Sequence, residues 1–104
     1  MSRMLQLGGV QVDDARLADL CRSYSVRELS LFGSAARGEM RPDSDIDMLV
    51  EFLADAGTDL VDYAGLMLGL SKLLARKVDL VSKNGLKPLI RESVLEEARL
   101  LYAA

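Results

Sequence analysis

Apolar residues recur along this chain with two different periods, and the switches between them mark out a series of elements. From Asp13 to Tyr24 the positions Leu17, Leu20, Cys21 and Tyr24 fall at helical spacing. Asp13 suits the N-cap, because its carboxylate can accept from the first unpaired N–H groups. Ser25 ends that helix, and Glu28 to Phe32 predicts a strand. From Asp45 to Leu53 the even positions Ile46, Met48, Val50 and Phe52 are apolar, while Asp45, Asp47 and Glu51 point the other way. Asp59 to Ala75 predicts a longer helix with Leu60, Ala64, Met67, Leu70 and Leu74 on one stripe. Val78 to Ser82 predicts a third strand, closed by Asn84-Gly85. Pro88 fits the first turn of a last helix, expected to run to about Tyr102 with Ile90, Val94, Ala98 and Leu101 inward. Residues 1–11 show no clear period and are expected to be a loose lead-in or a short edge strand. The expected order is helix, strand, strand, helix, strand, helix, with a short helical turn after Ser34. That describes a small α/β (α+β) fold forming a single domain over residues 1–104.

Composition narrows the function classes. The chain has 104 residues, half of them hydrophobic, and a formal net charge of −3. A domain of this size buries roughly two thirds of its unfolded surface, enough for a core without staples. No histidine occurs, which removes Ser-His-Asp triads and histidine zinc sites together. The single Cys21 leaves no internal disulfide, is expected as a small core hydrophobe, and fits a reducing cytoplasm. No basic run supports an extended nucleic-acid track, and the apolar runs are too short to span a bilayer.

The chemistry concentrates in two stretches. Gly33-Ser34-Ala35-Ala36-Arg37-Gly38-Glu39 is a small-residue loop in which glycine allows close approach and successive N–H groups can cradle phosphate. Ser34 adds a hydroxyl, and Arg37 can reach a phosphate or pair with Glu39. Ser44-Asp45-Ile46-Asp47 then places two carboxylates on one strand face, roughly 7 Å apart at the backbone. Asp79, in Lys77-Val78-Asp79-Leu80-Val81, can join them if its strand is adjacent, although a strand-end acid near Lys77 is the plainer account of that residue alone. Like charges at about 4 Å repel by about 4 kcal/mol at an effective dielectric of about 20, and a divalent cation resolves the conflict. Magnesium shares its shell between carboxylates and substrate phosphates, so these residues point to nucleotidyl transfer from a nucleoside triphosphate–Mg2+ complex, with two ions expected.

The spacing Gly33-Ser34 to Asp45-x-Asp47 resembles the signature of the DNA polymerase β-like nucleotidyltransferase superfamily. The fuller pattern, from Phe32-Gly33-Ser34 through Asp47 and on to Val78-Asp79-Leu80-Val81, resembles its minimal MNT-type members over most of the chain. That resemblance implies a small mixed β-sheet flanked by helices, metal acids at Asp45, Asp47 and Asp79, and phosphate-binding positions at Gly33 and Ser34. It further implies a type VII-like antitoxin paired with a HEPN-domain ribonuclease toxin, moving AMP from ATP to a tyrosine of that partner. Ser25 and Ala75 depart from the pattern, standing where a glycine is expected to end each helix.

A chain of this length is expected to leave the acceptor to be positioned by its partner in a hetero-oligomer. The alternatives are a binding-only antitoxin that works by occlusion, and a small-molecule nucleotidyltransferase whose pocket a homodimer would have to build. Other readings are plainer. Asp43 is a turn residue after Pro42, Glu51 is solvated or partner-facing, and Gly65 and Gly69 allow close helix–sheet contact. Leu95 and Tyr102 are boundary or interface residues.

Overall fold

The structure is a computed structural model that describes residues 3–7, 10–39, 41 and 43–104. Strands β1 (Met4–Leu7) and β2 (Val10–Asp13) form an antiparallel hairpin. Of the stretch 1–11 that lacked a clear period, Met4–Leu7 and Val10 onward form a two-stranded ribbon, while Met1, Ser2, Gly8 and Gly9 lie outside the described residues. The ribbon contributes Leu7 and Val12 to the core.

Helix α1 (Asp14–Ser23) follows, capped as expected by the Asp13 carboxylate, which accepts from the Ala15 and Arg16 N–H groups. Strand β3 (Val26–Leu31), helix α2 (Gly33–Arg37), strand β4 (Ile46–Phe52), helix α3 (Leu60–Leu74) and strand β5 (Val78–Ser82) come next. A 3-10 turn at Lys83–Gly85, helix α4 (Pro88–Glu97) and strand β6 (Arg99–Ala103) complete the chain. The main sheet has the order β5-β4-β3-β6. Strands β4 and β5 run parallel and the other pairs antiparallel, so the sheet is mixed.

Helices α1 and α3 pack over one sheet face, where Leu17, Cys21, Leu66, Leu70 and Leu74 meet Leu29, Leu31, Met48 and Val50. Gly65 and Gly69 serve this layer, but against a helix and not the sheet. A Cβ on Gly65 would lie 2.7 Å from the Tyr24 hydroxyl, and one on Gly69 would lie 2.9 Å from Leu20 Cδ1. Those glycines let α3 approach α1 closely. The buried stripe of α3 is Leu66, Leu70 and Leu74; Leu60 is exposed, lying about 120° around the helix from Leu66. Ser25 and Ala75 both adopt positive φ, 56° and 54°, as helix-ending positions require.

The C-terminal segment corrects the expectation. Helix α4 ends at Glu97, not near Tyr102, and the chain continues as β6 paired with β3. Ile90 is exposed and α4 carries no fully buried residue, while Val94 and Ala98 are half-buried and Leu101, now on β6, packs against the edge of the core. Arg99-Leu100-Leu101-Tyr102 is apolar enough to extend a helical period, yet the free edge of β3 offers it a ladder of backbone bonds.

Candidate active site

The second sheet face carries the polar chemistry. On β4 the alternation turns Asp47, Leu49 and Glu51 to this face, and the register sets Ser30 opposite Leu49. Asp47 stands opposite Asp79 in the parallel β4–β5 ladder, so the two acids occupy adjacent strands at one level. Neighbouring strands lie about 4.8 Å apart, which leaves the two carboxylates within strong mutual influence. Burial, then Asp79, then Asp45 push the Asp47 carboxyl above the usual aspartate range, while the nearby Arg37 guanidinium lowers it.

Gly33 closes over Asp47. Its φ is 66°, and a Cβ there would stand 2.5 Å from Asp47 Oδ2, so both conformation and space demand glycine. The Phe32 N–H donates to the Asp47 carbonyl at 3.0 Å, fixing the start of the loop to the strand that bears the acid. Helix α2 begins at Gly33 with no side chain capping it, and Gly38 ends it at φ 72°. The start of α2 at Gly33 therefore sits beside Asp47, with Ser34 next in the chain.

Asp45 and Arg37 stand differently. The Asp45 carboxylate is exposed just before β4, with its Oδ2 3.8 Å from Lys77 Nζ. Lys77 thus pairs with Asp45 rather than with Asp79. Arg37 pairs with Glu39 through Nε at 3.0 Å and also with Glu97 of α4. Among the described residues, no three acids already stand in metal-holding geometry. The donor chemistry still fits magnesium: three carboxylates on or beside adjacent strand starts, one of them held protonated more readily by its burial and by the charge of the other two.

Further along the same face, Glu51 pairs with Arg27 at 3.2 Å and with Lys83 at 3.5 Å, and Lys83 also reaches Glu28 at 3.6 Å. Glu51 is therefore ion-paired on the sheet, not simply solvated. A cavity of about 250 Å3 lies between these residues, Leu49 and Leu95 of α4. Three contributors were not legible beforehand. Glu97 and Lys83 lie too far along the chain from their partners for spacing to reveal them. Arg76, whose guanidinium donates to the Arg41 and Ser44 carbonyls, shows only as a basic residue ahead of a strand.

A glycine loop closed over one of several carboxylates at a strand opening, on a small mixed sheet, is a nucleotidyltransferase arrangement. The nucleotidyltransferase domain family matches residues 15–101, and this chain belongs to it and to its enzyme class. The protein adenylyltransferase MntA of Thermococcus cleftensis is 41% identical over 83 residues, covering 80% of this chain and 82% of that protein. A solved structure provisionally described as a minimal nucleotidyltransferase has a TM-score of 0.73 at 45% identity, covering 83% of this chain and 86% of that one. A toxin–antitoxin crystal structure with AMP-PNP has a TM-score of 0.69 at 26% identity, covering 88% of this chain and 73% of that one. The described helices include none long and apolar enough to cross a membrane.

Proposed function

We propose that this enzyme is a protein adenylyltransferase and a type VII-like antitoxin, moving AMP from ATP to a tyrosine hydroxyl of a HEPN-domain toxin in the cytoplasm. The observation that carries the reading is Asp47 facing Asp79 in register while its Oδ2 packs against the Gly33 backbone. That contact supports a triphosphate held at Gly33 within reach of Asp47. The adenylyltransferase relative and the AMP-PNP-bound toxin–antitoxin neighbour favour this donor and this kind of partner.

In the reaction, the acceptor oxygen bonds to the α-phosphorus, the bond from that phosphorus to the bridging oxygen of the β-phosphate breaks, and pyrophosphate leaves. Gly33 and Ser34 would hold the β- and γ-phosphates through N–H groups and the Ser34 hydroxyl. Arg37 would have to exchange Glu39 or Glu97 for a phosphate oxygen to contribute. Asp45, Asp47 and Asp79 would hold Mg2+, which when bound supplies charge neutralisation for the attacking and leaving oxygens. Asp79 is exposed beside the site and would take the proton that the acceptor hydroxyl gives up.

A second reading, occlusion without chemistry, draws on the apolar residues left uncovered: Leu60 and Val61 on α3, and Leu89 and Ile90 on α4. Intact-mass spectrometry of the HEPN partner, co-expressed with the wild type or with Asp47→Asn, separates the two. Added AMP masses with the wild type alone support transfer, with Asp47→Asn slowing it by about 100-fold or more. An unmodified partner that still co-purifies supports occlusion.

A further inference from the structure

Arg76 joins the two segments that deliver the acids. Ala75 ends α3 in the left-handed conformation, φ 54°, and the chain then turns into β5. From that turn the Arg76 guanidinium donates through Nη2 to the Arg41 carbonyl at 3.0 Å and to the Ser44 carbonyl. The accepting segment is closed on itself as well. The Arg41 N–H donates to Ser44 Oγ at 3.0 Å, and the Ser44 N–H donates to the Arg41 carbonyl at 3.0 Å. One step beyond Asp45, the Ile46 N–H donates to the Lys77 carbonyl at 2.9 Å.

Asp45 is therefore bracketed. The peptide before it is held by the Arg76 side chain and the peptide after it by the Lys77 backbone. Asp45 itself precedes β4 and has no sheet partner of its own. Without Arg76, the connection from α2 to β4 keeps its internal turn but loses its hydrogen-bonded side-chain tether to the start of β5, leaving among the described side chains only the exposed Lys77 ammonium 3.8 Å from Asp45 Oδ2.

We infer that Arg76 is a positioning residue for Asp45, holding its carboxylate where a divalent cation can be shared with Asp47 and Asp79. The inference rests on the metal reading of those acids. It has a distinguishing sign. By charge alone, removing a guanidinium bonded to the Ser44 carbonyl, one peptide from Asp45, would tighten divalent-cation binding. By position, removing it frees Asp45 and weakens binding, and partners that orient metal ligands typically contribute 10–100-fold to affinity.

The test is Mn2+ titration of the metal-free protein by calorimetry, with the melting temperature measured in parallel. Arg76→Ala should bind Mn2+ about tenfold more weakly than the wild type. Arg76→Lys keeps the charge, supplies a single ammonium in place of the planar fork, and should fall between the two. This second variant carries the test if Arg76→Ala does not fold. In an Asp45→Asn background, Arg76→Ala should cost no further affinity, because the residue it positions no longer acts. Unchanged or tighter binding by both folded variants overturns the inference, as does an undiminished further loss in the Asp45→Asn background. A wild type that binds no Mn2+ is a different result: it overturns the metal reading, and the inference with it.

Discussion

The two faces of the four-stranded sheet are built in opposite ways. Toward α1 and α3, the sheet meets the helices through a closed set of leucines, valines, Met48 and Cys21, and no polar or charged residue is buried there. Burial pushes the Cys21 thiol up to about 12, so it behaves as packing and not as a nucleophile. The opposite face carries Asp47 and Asp79 at its opening and the Glu28–Lys83–Glu51–Arg27 ion pairs further along. Helix α4 stands off that face without a fully buried residue. One face therefore stores the stability of the fold. The other is left charged and only partly covered, which is where the proposed site lies.

The largest effect on stability should come from the packed face. Leu70 is fully buried between α3 and the sheet, and Leu70→Ala should cost on the order of 2–5 kcal/mol. That corresponds to a fall in Tm of about 10–25 °C for a domain of this size. Glu51→Gln on the other face removes two ion pairs with partly exposed partners and should cost less than about 1 kcal/mol. Thermal melts of the two variants compare the faces directly. Equal losses would mean that the ion pairs hold the sheet as firmly as the core does.

A smaller effect of opposite sign is expected at Asp47. Its carboxyl is raised by burial, by Asp79 and by Asp45, so the folded chain holds that proton more tightly than the unfolded chain does. Stability from this group is complete below the ordinary value of 3.8 and is lost as pH rises through the folded value. Asp47→Asn mimics the protonated group. In metal-free protein the variant should match the wild type near about pH 3 and melt above it as pH approaches neutrality. Mg2+ should then raise the wild-type Tm and narrow the gap, since a ligand bound only by the folded state stabilises it. A Tm difference that ignores pH would remove electrostatic repulsion as the cause.

The same contrast explains which parts of the molecule could be read from residues alone. The packed face obeys simple periods, so α1, α3, β4 and β5 follow from Leu17, Cys21, Leu70 and the alternation through Met48 and Val50. The place of Gly33 ahead of the Asp45-x-Asp47 strand was legible from local spacing, whereas the approach of Asp79 to Asp47 depends on which strands are neighbours and was implied only by the family resemblance. Strand β6 was not legible. Leu100, Leu101 and Tyr102 satisfy a helical period, and only the vacant edge of β3, about seventy positions earlier in the chain, makes them a strand. The same reason hid Glu97 from Arg37 and Arg76 from Ser44. Long-range pairing leaves no local trace.

The last difference between the faces is small enough to sit in one backbone angle. Ala75 links the packed face to the acid-bearing one, because it ends α3 and turns the chain toward Arg76, Lys77 and Asp79. It does so at φ 54°, where a Cβ crowds the backbone and glycine does not. A glycine there would relieve that crowding but would also give the unfolded chain more freedom to lose. At a left-handed position the relief outweighs the lost freedom, so Ala75→Gly should raise stability by about 0.5–1 kcal/mol and Tm by roughly 2–8 °C. Ser25→Gly, at φ 56° behind α1, offers the same relief far from the acids. If both substitutions stabilise alike, the turn at Ala75 serves only to end a helix. If Ala75→Gly stabilises and yet weakens Mn2+ binding, while Ser25→Gly leaves binding unchanged, the stiffness of alanine at that turn helps to hold Arg76, and through it Asp45, in place.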